Sequence, residues 1–413
     1  MKKLRGLLKK FGPGVITGAS DDDPSGIVIY AQTGAASGTS LLWTAPFTFP
    51  FMVAIQEMCA RIGLVTGHGL IGTMRRHYPP IFLILLALLV VVANTINIGA
   101  DIAGMASIVN LFIPISPLLI ALFFSVVIIV FMIYFPYTVL ASIFKWLTLS
   151  LFAYIVTSFL VVDDWVMILR DTVLPNFRLN REHILLIIAL FGTTISPYLF
   201  FWQANEEAEE KIEEGEKTVT KNKIIMMRKD VALGMFFSNL VMYFIIVASS
   251  QTLPQLGISN VQTASQAAQA LAPFAGEFST ILFALGIIGT GMLAVPVLAG
   301  SAAYAVSEAF GWKEGLSLPW NKARAFYGVV IFATLVGFLL VAVGDKIGLP
   351  PFRALFLTGT IYGVISPFII LSILHIANNK EILGDKVNGF LSNVLGSATF
   401  VLMLIAIIVL AVI

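Results

Sequence analysis

The chain has 413 residues, of which 58% are hydrophobic and 12% charged, with a net charge of +2 and a mean hydropathy of +0.94. Soluble domains carry about 25% charged residues, so this composition excludes an ordinary cytosolic enzyme, a disordered protein and a collagen-like fibre, and leaves an all-α polytopic membrane protein. A single cysteine, Cys59, excludes a disulfide framework and a thiolate cluster, and His68, His77, His183 and His375 show no ligand spacing.

In chain order, the basic segment MKKLRGLLKKFGPG comes first. No small-residue cleavage site follows it, so it reads as a retained cytoplasmic arm and not a signal peptide. Eleven apolar segments come next. They lie at 12–36, 41–60, 81–107, 115–135, 141–162, 183–205, 230–253, 278–303, 323–343, 351–376 and 389–412.

The first span is interrupted by DDDPSG at 21–26. A carboxylate at mid-bilayer costs about 2.5–3.5 kcal/mol even on a lenient scale, so Asp21, Asp22 and Asp23 need partners. No lysine or arginine lies nearby within the membrane, and a bound cation is the natural one. Asp23, beside the proline, is the leading ligand. Asp22 is either a ligand or a water-bridged neighbour, and Asp21 reads as a vestibule residue.

Near the end of the second span, Glu57 precedes Arg61 by four residues, and an ion pair accounts for both. The third span carries Asn94, Asn97 and Asp101 at spacings of three and four, on one helix face. That stripe reads either as an ion or proton path or as an interhelical hydrogen-bond seam.

The sixth span is interrupted by GTTISPY at 192–198. Thr193, Thr194 and Ser196 offer hydroxyls there, and unwound backbone offers carbonyls. Neither break contains Met, Cys or His. Hard oxygen donors suit Mg2+, Mn2+ and Ca2+ better than softer metals. The run EEAEEKIEEGEK at 206–217 reads as a solvated helix end and loop. Residues 254–276 read as a connector with a short helix, and Glu308 as a solvated residue near a helix end.

The positive-inside rule supports this order of spans. With the N-terminus inside, 20 Lys and Arg fall on the inner side and 5 on the outer, and the C-terminus is outside. Freed backbone in lipid survives only where it lines a protein cavity. Two breaks five spans apart therefore mark the substrate site of an inverted-repeat transporter. The single domain 1–413 divides into a first repeat (1–170), a second repeat (171–380) and an additional helix (381–413). Enzyme motifs, such as a phosphate-binding glycine loop or HExxH, are missing, so the chain reads as a non-enzyme.

These motifs resemble the Nramp family of divalent metal transporters. GPG at 12–14 and DPSG at 23–26 resemble its first-helix GP…DPGN, and CARIGLVTGHGLIGTMRRHYP at 59–79 resembles its second-to-third helix connector. GADIAGMAS resembles the third-helix ATDLAEVIG, and TTISPYLFFWQ at 193–203 the sixth-helix ATVMPHNLYLHS. The resemblance implies a LeuT-type fold of five plus five helices, with helices 1 and 6 broken, an eleventh helix added, and alternating access. It places Asp23 on the metal-binding aspartate, Gly26 on a metal-binding asparagine, Ser196 on a metal-binding methionine, and the Thr193 carbonyl on a sixth-helix metal contact. Asp101 keeps a third-helix aspartate, Gly104 replaces its neighbouring acid, and Tyr198 and Gln203 replace two histidines.

The departures from the family pattern point one way. Gly26 and Ser196 remove the soft sulfur and widen the site, which suits a partly hydrated Mg2+. Losing an acid and two histidines thins the proton path. The pattern is similar to Nramp-related magnesium transporters: carriage of Mg2+, and Mn2+ with it, with weak or absent proton coupling. The alternatives are a proton-coupled Mn2+ or Fe2+ importer, an organic-solute carrier on the same fold, and a non-transporting scaffold. The expected partners are a divalent metal ion as substrate and the lipid bilayer of a prokaryotic plasma membrane. No cofactor and no nucleic acid are expected, and no oligomer is implied.

Overall fold

The computed structural model describes residues 12–135, 137–176, 180–215, 218–344 and 346–412. The basic arm before Gly12, Arg178, Lys217 and the side chain of Lys145 lie outside the described residues.

The first expected span is two helices, α1 (Pro13–Asp21) and α2 (Pro24–Ser37). Then come α3 (Thr44–Thr66), the short α4 (Leu70–Met74), α5 (Pro80–Asn110) and α6 (Pro117–Tyr134). The fifth expected span is α7 (Tyr137–Thr148), a 3-10 turn and α8 (Ala153–Val161), followed by a short α9 (Trp165–Val173). The second break separates α10 (Arg181–Thr194) from α11 (Pro197–Glu213). Next are α12 (Lys221–Thr252), a connector holding α13 (Ala264–Ala268) and α14 (Ala272–Ala275), and α15 (Ser279–Phe310). The chain ends with α16 (Arg324–Gly344), α17 (Pro351–Asn378), α18 (Lys380–Leu383) and α19 (Phe390–Val412).

Among the described residues, nine stretches are long and apolar enough to cross a membrane. They match nine of the eleven expected spans. Of the other two, the first is divided at Asp22–Asp23, and the fifth is present as a shorter apolar helical stretch, Trp146–Val161. Leu85, Leu88, Phe123, Phe332 and Ile408 stay exposed, as a lipid-facing belt requires.

Both broken helices are seated by backbone-on-backbone crossings that only glycine permits. A Cβ on Gly18 would lie 2.3 Å from the Gly234 carbonyl oxygen, so α1 lies directly on α12. A Cβ on Gly192 would lie 1.8 Å from the Gly359 oxygen, so α10 lies directly on α17. Elsewhere α12 also packs on α2, α11 on α3, and α15 on α5.

Polar contacts tie one end of the bundle together. Asp230 of α12 accepts from the amides of Gly12 (3.0 Å) and Gly14 (2.6 Å), which are the first exposed donors of α1. Lys211 donates to the Val65 carbonyl at 2.8 Å. The expected Glu57–Arg61 pair is present at 2.9 Å. Arg228 joins it at 2.9 Å, and Arg61 also donates to Lys386 O and Asn388 Oδ1. This is the basic end of the molecule.

Two expectations at that end need correction. Glu308 is not solvated; it is 3% exposed, packed against Gly69 and Gly72 where α3 turns into α4. The acidic run is solvated only at its far end, where residues 212–215 are exposed. Glu207 is buried and accepts from Gln203 at 3.1 Å. Glu209 accepts from the Tyr304 hydroxyl and from the amides of Leu316 (3.0 Å) and Ser317 (3.2 Å). The loop after α15 folds over α11 and supplies the two amides, and α15 itself the Tyr304 hydroxyl. In that loop, burial and the neighbouring carboxylates Glu308 and Glu209 push Glu314 up to about 10.

Candidate metal-binding site

The two breaks are built alike. At each, the residue that ends the first helix has ψ near +60°: 57° at Asp22 and 59° at Ile195. An extended residue follows, Asp23 (ψ 169°) or Ser196 (ψ 125°), and then a proline as the first residue of the next helix. Proline suits that position because it lacks the N–H that the helix could not use. The carbonyls and amides around each break lose their helical partners. In a membrane interior they must find others.

Asp23 caps α2. Its Oδ1 accepts from the Gly26 amide and the Ser25 hydroxyl, both at 2.7 Å, and its Oδ2 accepts from Asn97 Nδ2 at 2.8 Å. Three donors hold the carboxylate in place. A Cβ on Gly26 would lie 3.1 Å from Thr193 Oγ1, 3.3 Å from Asp23 Oδ1 and 3.4 Å from the Tyr30 hydroxyl. Asp23, Thr193 and Tyr30 therefore converge on Gly26, across both breaks. The room left by the missing side chain at 26 is narrow in this closed arrangement.

The other expected residues take different places. The Ser196 hydroxyl donates back across the break into the end of α10, to Gly192 O (3.0 Å) and Thr193 O (2.6 Å), so the Thr193 carbonyl keeps one lone pair in use. Asp21 and Asp22 turn toward α12, where Ser238 donates to both. Tyr198 donates to the freed Ser20 carbonyl at 3.0 Å, and its ring lies 5.6 Å from that of Tyr362. Gln203 is bonded to Glu207, toward the basic end and away from Asp23.

The third-span stripe divides. Asn94 is a hydrogen-bond seam: it donates to Leu298 O (2.9 Å) and accepts from Tyr362 (3.0 Å). Asn97 joins Asp23 directly. Asp101 is fully buried, and neither of its oxygens has a hydrogen-bond partner.

Sequence reasoning missed Tyr30, Ser25, Ser238 and Tyr362. Tyr30 follows Gly26 by four residues, so helical spacing carried a signal for it. Ser238 and Tyr362 sit in unbroken helices, and nothing in their own segments marks them.

The site is closed. Asp21, Asp22, Asp23, Asp101 and Ser196 are each 0–5% exposed. A cavity of about 240 Å³ lined by Ala103, Ser107, Asn110 and Pro351 lies on the face of α5 turned away from Asn97 and Asp101, and does not reach them. Among the described residues, no group of three or more His, Cys, Asp or Glu converges as a metal cage. The site is instead a set of mixed oxygens: one fixed carboxylate, hydroxyls, an amide and freed carbonyls.

The family model for natural resistance-associated macrophage protein-like proteins, Nramp, matches residues 14–412. The chain is 22% identical to a "Divalent metal cation transporter MntH" of Caldanaerobacter subterraneus subsp. tengcongensis, over 97% of this chain and 93% of that protein. It is also 22% identical to the protein of that name from Bacillus subtilis, over 94% of this chain and 88% of the other. Among solved structures it is similar to the Eremococcus coleocola manganese transporter, with a TM-score of 0.76 and 15% identity over 98% of this chain and 87% of that one. The inward-facing form of Mhp1 aligns with a TM-score of 0.52 and 12% identity over 97% of this chain and 90% of that one. The architecture is therefore LeuT-type, with helices 1 and 6 broken.

Proposed function

The chain belongs to the Nramp family, and on that premise we propose that it carries Mg2+, and Mn2+ with it, across the membrane by alternating access with weak or no proton coupling. The names of its relatives supply the substrate class, divalent metal cations. The metal position is Asp23 with Thr193, Ser196, Asp22 and the space at Gly26. Asn97, Asp101, Tyr198 and Gln203 line the path.

One observation carries the magnesium reading. The side chains that meet at Gly26 present oxygen alone, from Asp23, Thr193 and Tyr30, and a serine stands where the family has a methionine. Hard oxygens without sulfur suit a hard, reluctantly dehydrated ion. Thin proton coupling draws on Gly104. A Cβ there would lie 3.0 Å from Leu355 Cδ1, so the place of the family's second third-helix acid is apolar.

The closed site requires that one end open at a time. The basic end faces the cytoplasm, which puts the N-terminus inside and the C-terminus outside. Residues 1–170 and 171–380 are the two repeats, and 381–413 the added helix.

The second reading is a proton-coupled manganese importer. Its support is that the Eremococcus protein is called a manganese transporter. Uptake of Mg2+ and Mn2+ into proteoliposomes containing a trapped pH dye separates the two. Mg2+ entry without lumenal acidification, lost in Asp23→Ala, is expected. Mn2+ entry with protons and no Mg2+ flux would overturn the magnesium reading.

A further inference from the structure

Asn97 connects Asp23 to a group of acceptors that no donor serves. An ionised carboxylate is acceptor-only, so Asn97 must turn its amide nitrogen to Asp23 Oδ2, as it does at 2.8 Å. The reverse orientation would set two acceptors against each other. This fixes Asn97 Oδ1 on the other side, where it is buried and has no partner; the nearby Tyr362 hydroxyl spends its one hydrogen on Asn94 Oδ1 at 3.0 Å. One helical turn along α5, both oxygens of Asp101 are also buried and unpartnered. The backbone amide of Ser25 lies near Asp101 but does not reach hydrogen-bond geometry. Both side chains are 0% exposed.

Three acceptor oxygens on one helix face, from two residues about 6 Å apart along the axis, thus meet no donor. An unsatisfied buried acceptor costs about 1–3 kcal/mol, more when charged. A single proton on Asp101, donated to Asn97 Oδ1, leaves one carbonyl oxygen of Asp101 unserved. A cation satisfies all three, and hard divalent ions take amide carbonyls and carboxylates together.

We infer that Asn97 Oδ1 and the Asp101 carboxylate form a second position for a divalent cation, beside the Asp23 site and bridged to it by the Asn97 amide. The inference rests on the transport reading and deepens it. Asn97 then has two roles. Its nitrogen holds Asp23, and its oxygen binds the ion waiting next to it. An ion at the second position is one amide away from the first, so transfer between them needs no wide rearrangement.

The test is equilibrium Mn2+ binding to the purified full chain, read from the free Mn2+ paramagnetic resonance signal, with Mg2+ as competitor. Two Mn2+ per chain are expected, one tighter and one at least tenfold weaker. Asp101→Asn should remove the weaker and keep the tighter. Asp23→Ala should remove the tighter and, by freeing the Asn97 amide to turn, weaken the other; the site remaining in Asp101→Asn reports that this variant is folded. A wild-type stoichiometry of one, or two sites surviving in Asp101→Asn, overturns the second position. So does a change in Asp101→Asn confined to proton uptake, with the wild-type Mn2+ count retained. One site together with Mg2+ or Mn2+ transport sinks the second position alone. No binding and no transport sinks the transport reading as well.

Discussion

At the scale of single residues, the proposed metal site puts the treatment of soft metals on position 196. The Ser196 hydroxyl spends its hydrogen on Gly192 and Thr193 within α10, so only its lone pairs are free for an ion. Ser196→Met removes that oxygen and supplies a polarizable sulfur. Mg2+ flux should fall at least tenfold and competition by softer ions such as Cd2+ should rise, measured as the ratio of inhibition constants in vesicles. Unchanged selectivity would mean that position 196 faces away from the ion. The sequence showed Asp23 because a carboxylate beside a proline inside an apolar span has few benign explanations. It could not show that Asn97 holds that carboxylate, because the contact joins helices 74 residues apart. Nor could it show that Glu207 and Glu308 are buried and Glu209 half-buried. A run of glutamates normally marks a solvated face, and here the donors come from Gln203, Tyr304 and a loop a hundred residues later.

At the scale of elements, the breaks were legible and their supports were not. Proline with small polar residues gives a break wherever a span is otherwise apolar. The clamp on α1 depends on Asp230, which as a sequence feature is one more charge at a helix end. Two charge-assisted hydrogen bonds from Asp230 hold the N-terminus of α1 against α12, and each such bond contributes about 1.5–3 kcal/mol. Asp230→Ala should lower the opening free energy of α1 by about 2 kcal/mol, so amide exchange over residues 14–21 should quicken more than tenfold. Mass-spectrometric exchange reads this directly, and exchange equal to wild type would remove Asp230 from any gating role. The Glu57 network behaves differently. Arg61 is 2% exposed at its side chain and pairs with Glu57 through two bonds. Glu57→Ala leaves that charge buried without its counterion, a loss of about 3–5 kcal/mol. The variant's melting temperature in detergent should drop by several degrees whether or not metal is present. A melt equal to wild type would show that Lys386 and Asn388 alone satisfy Arg61.

For the whole molecule, the decisive quantity is the charge moved per cycle. A divalent cation crossing without protons carries two charges, and each is worth about 2.3 kcal/mol per 100 mV. The zero-current potential should then move about 30 mV for each tenfold change in the Mg2+ gradient, because tenfold is about 1.4 kcal/mol. It should not move with pH. Coupling to even one proton adds a third charge, lowers the slope against the metal gradient, and makes the zero-current potential follow the pH gradient. The proposed function is the first case. The closed site holds one carboxylate in three donors at Asp23, Tyr198 hydrogen-bonds a backbone carbonyl, and Gln203 is bonded to Glu207. Neither side chain exchanges a proton near neutral pH. A Mg2+ reversal potential in a planar bilayer, measured at two pH gradients, therefore separates an uncoupled carrier from a symporter. A shift of the reversal potential with pH would show that Asp101 or another carboxylate carries protons along with the metal.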